Sequence, residues 1–470
     1  MGLDVLLITP RSTYVNEFAQ KVYPPLNLLY LAASLREHGY TVDVLDANAW
    51  RLSDQQIEAA VRAASPRLVG IAVYSEILAQ VRRLTCLAKS AGAGRVVLGG
   101  PHAAAVPEQT LGCFPEADFI LCGEAENTLP MFVRDLDRAQ EYPHIPGLWW
   151  RENGALRMSP YGDRPDIRRV PLPARDLVEP AYRAGRYYTI LVRDRPVDTI
   201  MTSRGCPFHC GFCYNTNHKY RGRDPEDVVS ELVSIRQRGI RNVEIVDDHF
   251  TVDRARAIRI FDLIIREKLG ISFRIKSRVN VVDEEFLARA RQAGAYQISY
   301  GAESGIQSIL DAMDKRIKVA DIARAVDLTR RAGMAAHTSW VLGYPGETPE
   351  TIARTVDFIV KVKPTTANVA ILRPYPGTTA YVEARQAGML AGEWHPDADS
   401  IPWVRLPWVQ CRADLDRVVK KALRRVYCRP HYLIAFGSEI VRNTNWMLAR
   451  YALQELRRTF SLHPARTNAR

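Results

Sequence analysis

The sequence predicts an α/β protein in three parts. They are a doubly wound, Rossmann-like (flavodoxin-like) domain over residues 1–145, a partial (β/α)6 barrel over 191–388, and a small, mostly helical C-terminal region over 389–470 expected to cover the open end of the barrel and its substrate. Three observations predict this. Five short apolar runs alternate with amphipathic helical segments in the first 145 residues. Six more strand–helix units follow residue 198. Beyond Gly388 the alternation stops and basic helical patterns replace it. Residues 146–190 are rich in Pro and Arg and lack a period, so they read as a linker with a small hairpin at 147–158.

The elements follow in order. Residues 4–9 (DVLLIT) are an apolar run closed by Pro10. Residues 26–38, opening at Leu26, have helical spacing and stop at Gly39. Further strands are predicted at 41–45, 68–74, 95–98 and 118–121. Helices are predicted at 54–64, with Ser53 as N-cap, and at 77–91. Ligands of doubly wound sheets sit beyond the carboxyl ends of the strands. The candidate binding positions are therefore Thr9, Pro10, Ser75, Glu76, Gly99, Gly100, Pro101, His102, Gly123 and Glu124.

Barrel strands are predicted at 199–202, 242–246, 272–277, 297–300, 336–342 and 366–372. Helices lie between and after them at 225–238, 254–269, 284–293, 306–313, 319–332 and 348–362. Gly239, Gly270, Gly294 and Gly333 follow helices as C-terminal caps. Active sites of parallel barrels collect at the C-terminal strand ends. After Gly388, Trp394, Trp403 and Trp408 sit among prolines, and helices are predicted at 415–427 and 438–460.

Composition narrows the function. Apolar residues make up 47% and charged residues 25% of the 470, which excludes a disordered, collagen-like or small disulfide-stapled chain. No apolar run reaches the ~18–20 residues of a membrane span, and no basic region precedes the first apolar stretch, so a cytoplasmic location is expected. The net charge is +12, and residues 411–470 carry 13 basic against 4 acidic side chains. That excess reads as a solvated helical face. It also suits an anionic small-molecule substrate, and residues 433–436 with Trp446, Leu448 and Leu453 suit a membrane surface. No nucleic-acid-binding signature accompanies it.

The chemistry is concentrated in SRGCPFHCGFCYN, directly after the first barrel strand. Cys206-x3-Cys210-x2-Cys213 places three thiolates where they can hold a four-iron cubane and leave one iron without a protein ligand. A structural zinc site normally uses four ligands in paired knuckles, and no second CxxC exists. Other strand ends carry polar motifs. Asp247 and Asp248 end the second strand, Ser277 and Arg278 the third, Glu303 and Ser304 the fourth, and Gly343 opens a turn after the fifth. Taken singly, the aspartates also suit a helix cap, Glu303 an ion pair and Gly343-Tyr-Pro-Gly a plain turn.

Over about residues 198–379 these motifs together resemble the radical S-adenosylmethionine superfamily, whose signature is CxxxCxxC. The resemblance implies a [4Fe-4S] cluster on Cys206, Cys210 and Cys213. It implies S-adenosylmethionine contacts from Phe212, Asp247, Asp248, Ser277, Arg278, Glu303, Ser304 and Gly343, and an electron donor of the ferredoxin or flavodoxin kind. The N-terminal part resembles the cobalamin-binding domain of one branch, through PPLNLLYLA from Pro24, with Leu26 opening its helix, GGPH from Gly99 and GEAE from Gly123. No Asp-x-His-x-x-Gly string occurs, so a bound cobalamin should lack a histidine on its lower face; His102 would touch its periphery. A flavodoxin-like domain without a corrin is the plainer alternative.

The resemblance implies reductive cleavage of S-adenosylmethionine to a 5′-deoxyadenosyl radical, followed by methylation of an unactivated carbon of a small-molecule or natural-product intermediate. The alternative within the same branch is a cyclase or oxidase acting on a tetrapyrrole-like substrate without methyl transfer. A methylthiotransferase would need three further cluster cysteines at strand ends, where only Cys122 qualifies. A cobalamin sensor would not need an open iron.

Overall fold

The computed structural model describes residues 2–11, 21–137, 142–189, 195–214, 218–398 and 401–429. The chain forms two compact units. The first is Met1–Tyr188 with Glu393–Ala398, and the second is Thr189–Gly392 with the chain from Asp399 onward.

The first unit is built on seven strands: β1 (Val5–Thr9), β2 (Val42–Asp46), β3 (Leu68–Ala72), β4 (Arg95–Gly99), β5 (Phe119–Leu121), β6 (Leu148–Glu152) and β7 (Ala155–Met158). Their order is β2-β1-β3-β4-β5-β6-β7. The first five are parallel, in the flavodoxin-like order whose switch point lies between β1 and β3. Strand β3 (LVGIA) is buried along its whole length, as a parallel strand covered on both faces must be. Helix Asp54–Ala64 starts at Ser53, whose side chain and that of Gln56 close a reciprocal capping box.

The predicted linker belongs to this sheet. Strand β6 pairs antiparallel with β5, setting Trp150 opposite Phe119, and β7 closes the hairpin. Aromatic packing fixes the addition: Phe119 meets Phe132 at 4.8 Å and Tyr142 at 5.4 Å, and Tyr142 meets Trp150 at 5.7 Å, all edge to face. Each such pair is worth about 0.5–1.5 kcal/mol beyond its buried area. The hairpin expected at 147–158 is present, but its addition to the sheet was not legible, because that pairing is long-range.

The second unit holds six parallel strands in chain order: β8 (Val197–Ile200), β9 (Asn242–Ile245), β10 (Ser272–Ser277), β11 (Ala295–Glu303), β12 (Ala335–Leu342) and β13 (Thr366–Ile371). Strand β11 is longer than the predicted 297–300 and ends in a register shift between Gly301 and Glu303. Outward-facing residues are identified by their partners on the covering helices. Phe273 packs on Phe261 and Trp340 on Phe358, while the Tyr300 hydroxyl bonds that of Thr329. Strand alternation then turns Arg274, Lys276, Ser299, His337 and Ser339 to the inner face. Lys276, Ser299, His337 and Thr366 form one cross-strand row.

Among the described residues the C-terminal stretch packs onto the barrel unit as a short two-stranded ladder and one helix. Leu390–Ala391 pairs with Trp403–Val404. Trp403, Leu406, Val409 and Leu415 share one core with Ile309, Met313, Tyr344 and Ala380. Helix Arg412–Tyr427 packs on β13, and the Tyr427 hydroxyl bonds both the N–H and the C=O of Ala367 at 2.7 Å. This covers the free edge of the last strand. The predicted helix 438–460 and the apolar patch around Trp446 lie outside the described residues. No helix among the described residues is long and apolar enough to cross a membrane.

Candidate functional site

The cysteine loop leaves the carboxyl end of β8. Its base is a short ladder, Ser203–Arg204 against Arg221–Gly222. Asp247, buried at the end of β9, grips that base by accepting from the Thr202 N–H at 2.6 Å, the Thr202 hydroxyl at 2.5 Å and the Ser203 hydroxyl at 2.6 Å. Arg256 donates to the carbonyls of Thr202 at 2.5 Å and Arg223 at 2.7 Å. At the far side the Gly211 N–H donates to the Met313 carbonyl at 2.9 Å, and the Gly211 carbonyl accepts from Ala380 at 2.8 Å. A Cβ at Gly211 would stand 2.8 Å from the Tyr344 hydroxyl, so a larger residue would have to displace that side chain.

Cys206, Cys210 and Cys213 are all free thiols on this loop, the first two half-buried and the third exposed. Burial pushes the Cys206 thiol up, and so do Cys210 and Asp248; the Phe208 N–H and Arg278 act in the opposite sense. Donors aimed at sulfur on a clamped, glycine-shaped loop suit thiolates that ligate iron. Among the described residues no three His, Cys, Asp or Glu side chains are grouped around a single ion. A cubane asks for a different arrangement, in which each thiolate holds its own iron.

Arg278 reaches across this loop. Its guanidinium lies 3.7 Å from the Phe208 ring centroid and donates to the Cys210 sulfur at 3.9 Å, to the Arg316 carbonyl at 3.2 Å and to the Lys315 carbonyl. Its Nε is buried without a partner. The Ser277 hydroxyl bonds that of Thr251 at 2.8 Å. The His249 Nε2 accepts the Arg278 backbone N–H at 3.2 Å, which leaves the ring proton on Nδ1, a buried donor with no partner. Burial, with Arg278 and Lys315 nearby, lowers the His249 pKa to about 3, so this imidazole is neutral.

Glu303 ends β11 with φ +61°, a left-handed conformation that non-glycine residues avoid, and its carboxylate pairs with Lys315 at 2.8 Å. Lys315 also lies 5.5 Å from the Phe212 ring centroid. Ser304 is fully buried, and its hydroxyl takes the Ile306 N–H at 3.2 Å. Gly343, at φ +85°, donates to Glu347 Oε2 at 2.6 Å, while Glu347 Oε1 is buried without a partner. Burial raises the Glu347 pKa to about 7. Asp248 is exposed.

In the first unit the carboxyl ends of β1, β3, β4 and β5 form an edge of small residues. Gly100 has φ +92°, and a Cβ there would lie 3.0 Å from the Val73 backbone N and O. Val73 donates to the Gly99 carbonyl at 2.7 Å and accepts from the His102 N–H at 3.2 Å. The His102 Nδ1 bonds the Ser75 hydroxyl at 2.8 Å, and burial lowers the ring's pKa to about 4. The Thr9 hydroxyl is buried without a partner, and Gly123, at φ +91°, has open space where a Cβ would stand. An unpartnered hydroxyl beside glycine-only backbone suits a bulky ligand laid against the strand ends. Pro10 is buried beside Thr9, Pro101 starts the short helix that carries His102, and Leu26 starts helix Leu26–Glu37. Glu76 and Glu124 follow β3 and β5.

Four residues escaped the sequence reading. Lys315, Phe208 and Arg256 act through contacts distant in sequence. Tyr74, a large aromatic left 40% exposed where β3 ends, carried a usable signal, since it adjoins Ser75 and Glu76.

Residues 13–133 match the B12 binding domain, and residues 200–359 match the Radical SAM superfamily. An uncharacterized methyltransferase of Pyrococcus horikoshii is 31% identical over 440 residues, covering 92% of this chain and 93% of that protein. The anaerobic magnesium-protoporphyrin IX monomethyl ester cyclase of Rubrivivax gelatinosus is 28% identical, covering 77% of this chain and 66% of that protein. Among solved structures, the radical S-adenosylmethionine methyltransferase TsrM of Kitasatospora setae aligns with a TM-score of 0.70 at 22% identity, covering 88% of this chain and 84% of its own. With a flavodoxin-like sheet ahead of a six-stranded parallel barrel sheet and a relative similar over nearly its whole length, the chain belongs to the cobalamin-dependent radical S-adenosylmethionine enzymes.

Proposed function

We propose that this enzyme methylates an unactivated carbon of a small, polar molecule. The observation that carries the reading is the clamped loop of Cys206, Cys210 and Cys213, beside the polar strand ends of the barrel unit, in a chain that also holds a glycine-edged flavodoxin-like unit. In this reading the three cysteines hold the [4Fe-4S] cluster. Phe212, Asp248, Arg278, Glu303 and Gly343 surround S-adenosylmethionine, while Asp247, Ser277 and Ser304 brace the strand ends behind them. Thr9, Gly100, His102 and Gly123 face cobalamin. When bound, the cofactors supply a 5′-deoxyadenosyl radical and a transferable methyl group.

The chain's own residues bind, orient and keep the site dry. Asp247 and Arg256 fix the loop, so the thiolates keep their geometry. Neutral His249 offers one N–H without adding charge. The inner barrel face supports a polar substrate: Lys276 is exposed there beside Ser299 and His337, and no partner for its ammonium is found among the described residues. This favours a substrate with an anionic group. A ferredoxin- or flavodoxin-like donor would supply the electron.

Methyl transfer is supported by the methyltransferase relative; a second reading, cyclisation or oxidation of a tetrapyrrole-like substrate, is supported by the cyclase relative. The test is the metal content of protein purified anaerobically from cells supplied with cobalamin. About four irons and a single cobalt per chain are expected, with only the iron lost when all three cysteines become Ala. Iron without cobalt would overturn the cobalamin reading. S-adenosylhomocysteine formed in step with product would then separate methyl transfer from the cyclase reaction.

A further inference from the structure

We propose that Arg278 tunes the reduction potential of the cluster by donating a charge-assisted hydrogen bond to the sulfur of Cys210. The inference rests on the reading that Cys206, Cys210 and Cys213 hold the cluster.

The geometry commits this side chain to the loop. One terminal nitrogen holds the carbonyls of Lys315 and Arg316, the other stands 3.9 Å from the Cys210 sulfur, and the guanidinium plane rests on Phe208. Phe208 itself lies between Cys206 and Cys210 in the sequence, and its N–H serves Cys206. The guanidinium is therefore fixed from three sides, with the sulfur as its fourth neighbour. Arg278 is mostly buried, which weakens solvent screening of its charge. Its ordinary alternative, an ion pair with a carboxylate, is missing among the described residues: Asp247 holds Thr202 and Ser203, and Glu303 holds Lys315.

The direction of the effect follows from charge. One-electron reduction adds a negative charge to the cluster and its thiolates, the electron coming from an external reductant. A fixed positive charge and an N–H donor at the sulfur favour the reduced form, so Arg278 moves the midpoint potential upward. Arg278 acts here as a positioning and tuning residue through Cys210.

The test uses the reconstituted full-length enzyme, with dithionite or titanium(III) citrate as reductant and the reduced cluster followed by EPR. Iron content is measured first, because a chain that holds no iron fails the cluster reading rather than this one. In iron-replete Arg278→Gln the reduced-to-oxidised ratio at a fixed potential should fall at least tenfold, equivalent to 59 mV for one electron. Arg278→Lys keeps the charge but cannot reach the carbonyls and the sulfur together, and should fall between. A role confined to holding the loop would lower iron occupancy and leave the midpoint of the loaded fraction unchanged. An unchanged midpoint in iron-replete Arg278→Gln overturns the proposal. Should that variant take up too little iron, an iron-replete Arg278→Lys with the wild-type midpoint overturns it instead.

Discussion

Glu303 and Lys315 form a buried ion pair of 2.8 Å, and the glutamate that makes it sits in a left-handed backbone conformation. Gly301 lies directly beneath, where a Cβ would collide with both side chains. Strand β11 shifts register at this point to turn the carboxylate inward. Backbone strain of this kind persists only where surrounding contacts over-determine it.

Removing the cation should therefore be costly. Lys315→Met leaves the Glu303 carboxylate buried and unpaired, and a loss of about 3–5 kcal/mol is expected. Urea unfolding of the apo protein measures it. The double variant Glu303→Gln/Lys315→Met should recover most of the loss; failure to recover would mean that Lys315 matters through packing alone.

Asp247 accepts three hydrogen bonds at the base of the cysteine loop. Asp247→Ala orphans those three donors and should cost about 3 kcal/mol or more, at about 1–3 kcal/mol for each buried group left unsatisfied. It should also reduce iron uptake on reconstitution severalfold. Wild-type iron content in a folded Asp247→Ala protein would show that the loop keeps its shape without this anchor.

Glu347 should make stability fall as pH rises. Its folded pKa is raised by burial to about 7 against an ordinary 4.5. Its contribution is thus fully present below about pH 4.5 and disappears as pH climbs through 7, by up to about 3 kcal/mol. Glu347→Gln keeps an oxygen for the N–H groups of Gly343 and Tyr344 but cannot ionise. The wild-type minus variant difference in unfolding free energy should therefore slope downward between pH 4.5 and 7, and a flat difference would refute the assignment.

Gly100 tests the edge of the first unit. A methyl group there meets the Val73 backbone at 3.0 Å and forces φ +92° on a residue with a Cβ. Gly100→Ala should destabilise by about 1–3 kcal/mol and lower the cobalt content of purified protein, with iron unaffected. Unchanged cobalt in a stable variant would place cobalamin elsewhere.

Local rules made much of this protein readable. Helix Glu284–Ala293 and strand Ser272–Ser277 have the predicted limits, and Ser53 caps its helix as expected. Capping, helical periodicity and cysteine spacing are each set by residues a few positions apart, so a sequence displays them directly. The C-terminal strand ends also followed, because polar and glycine-rich turns close each apolar run.

Pairings between distant segments were decided only by the tertiary structure. A stretch read as a linker placed Trp150 opposite Phe119 and became part of the first sheet. A stretch read as a mostly helical cover over the barrel delivered Trp403 and Leu415 to the core shared by Met313 and Tyr344. The same holds at the site, where the spacing of Cys206, Cys210 and Cys213 announced the chemistry, while Lys315 for Glu303 and Arg278 for Cys210 were set by folding. Such contacts depend on strand register and loop paths that no short window of sequence encodes. Short stretches of chain encode which elements form and where the cysteines fall; the burial of charge among distant residues sets how they are held.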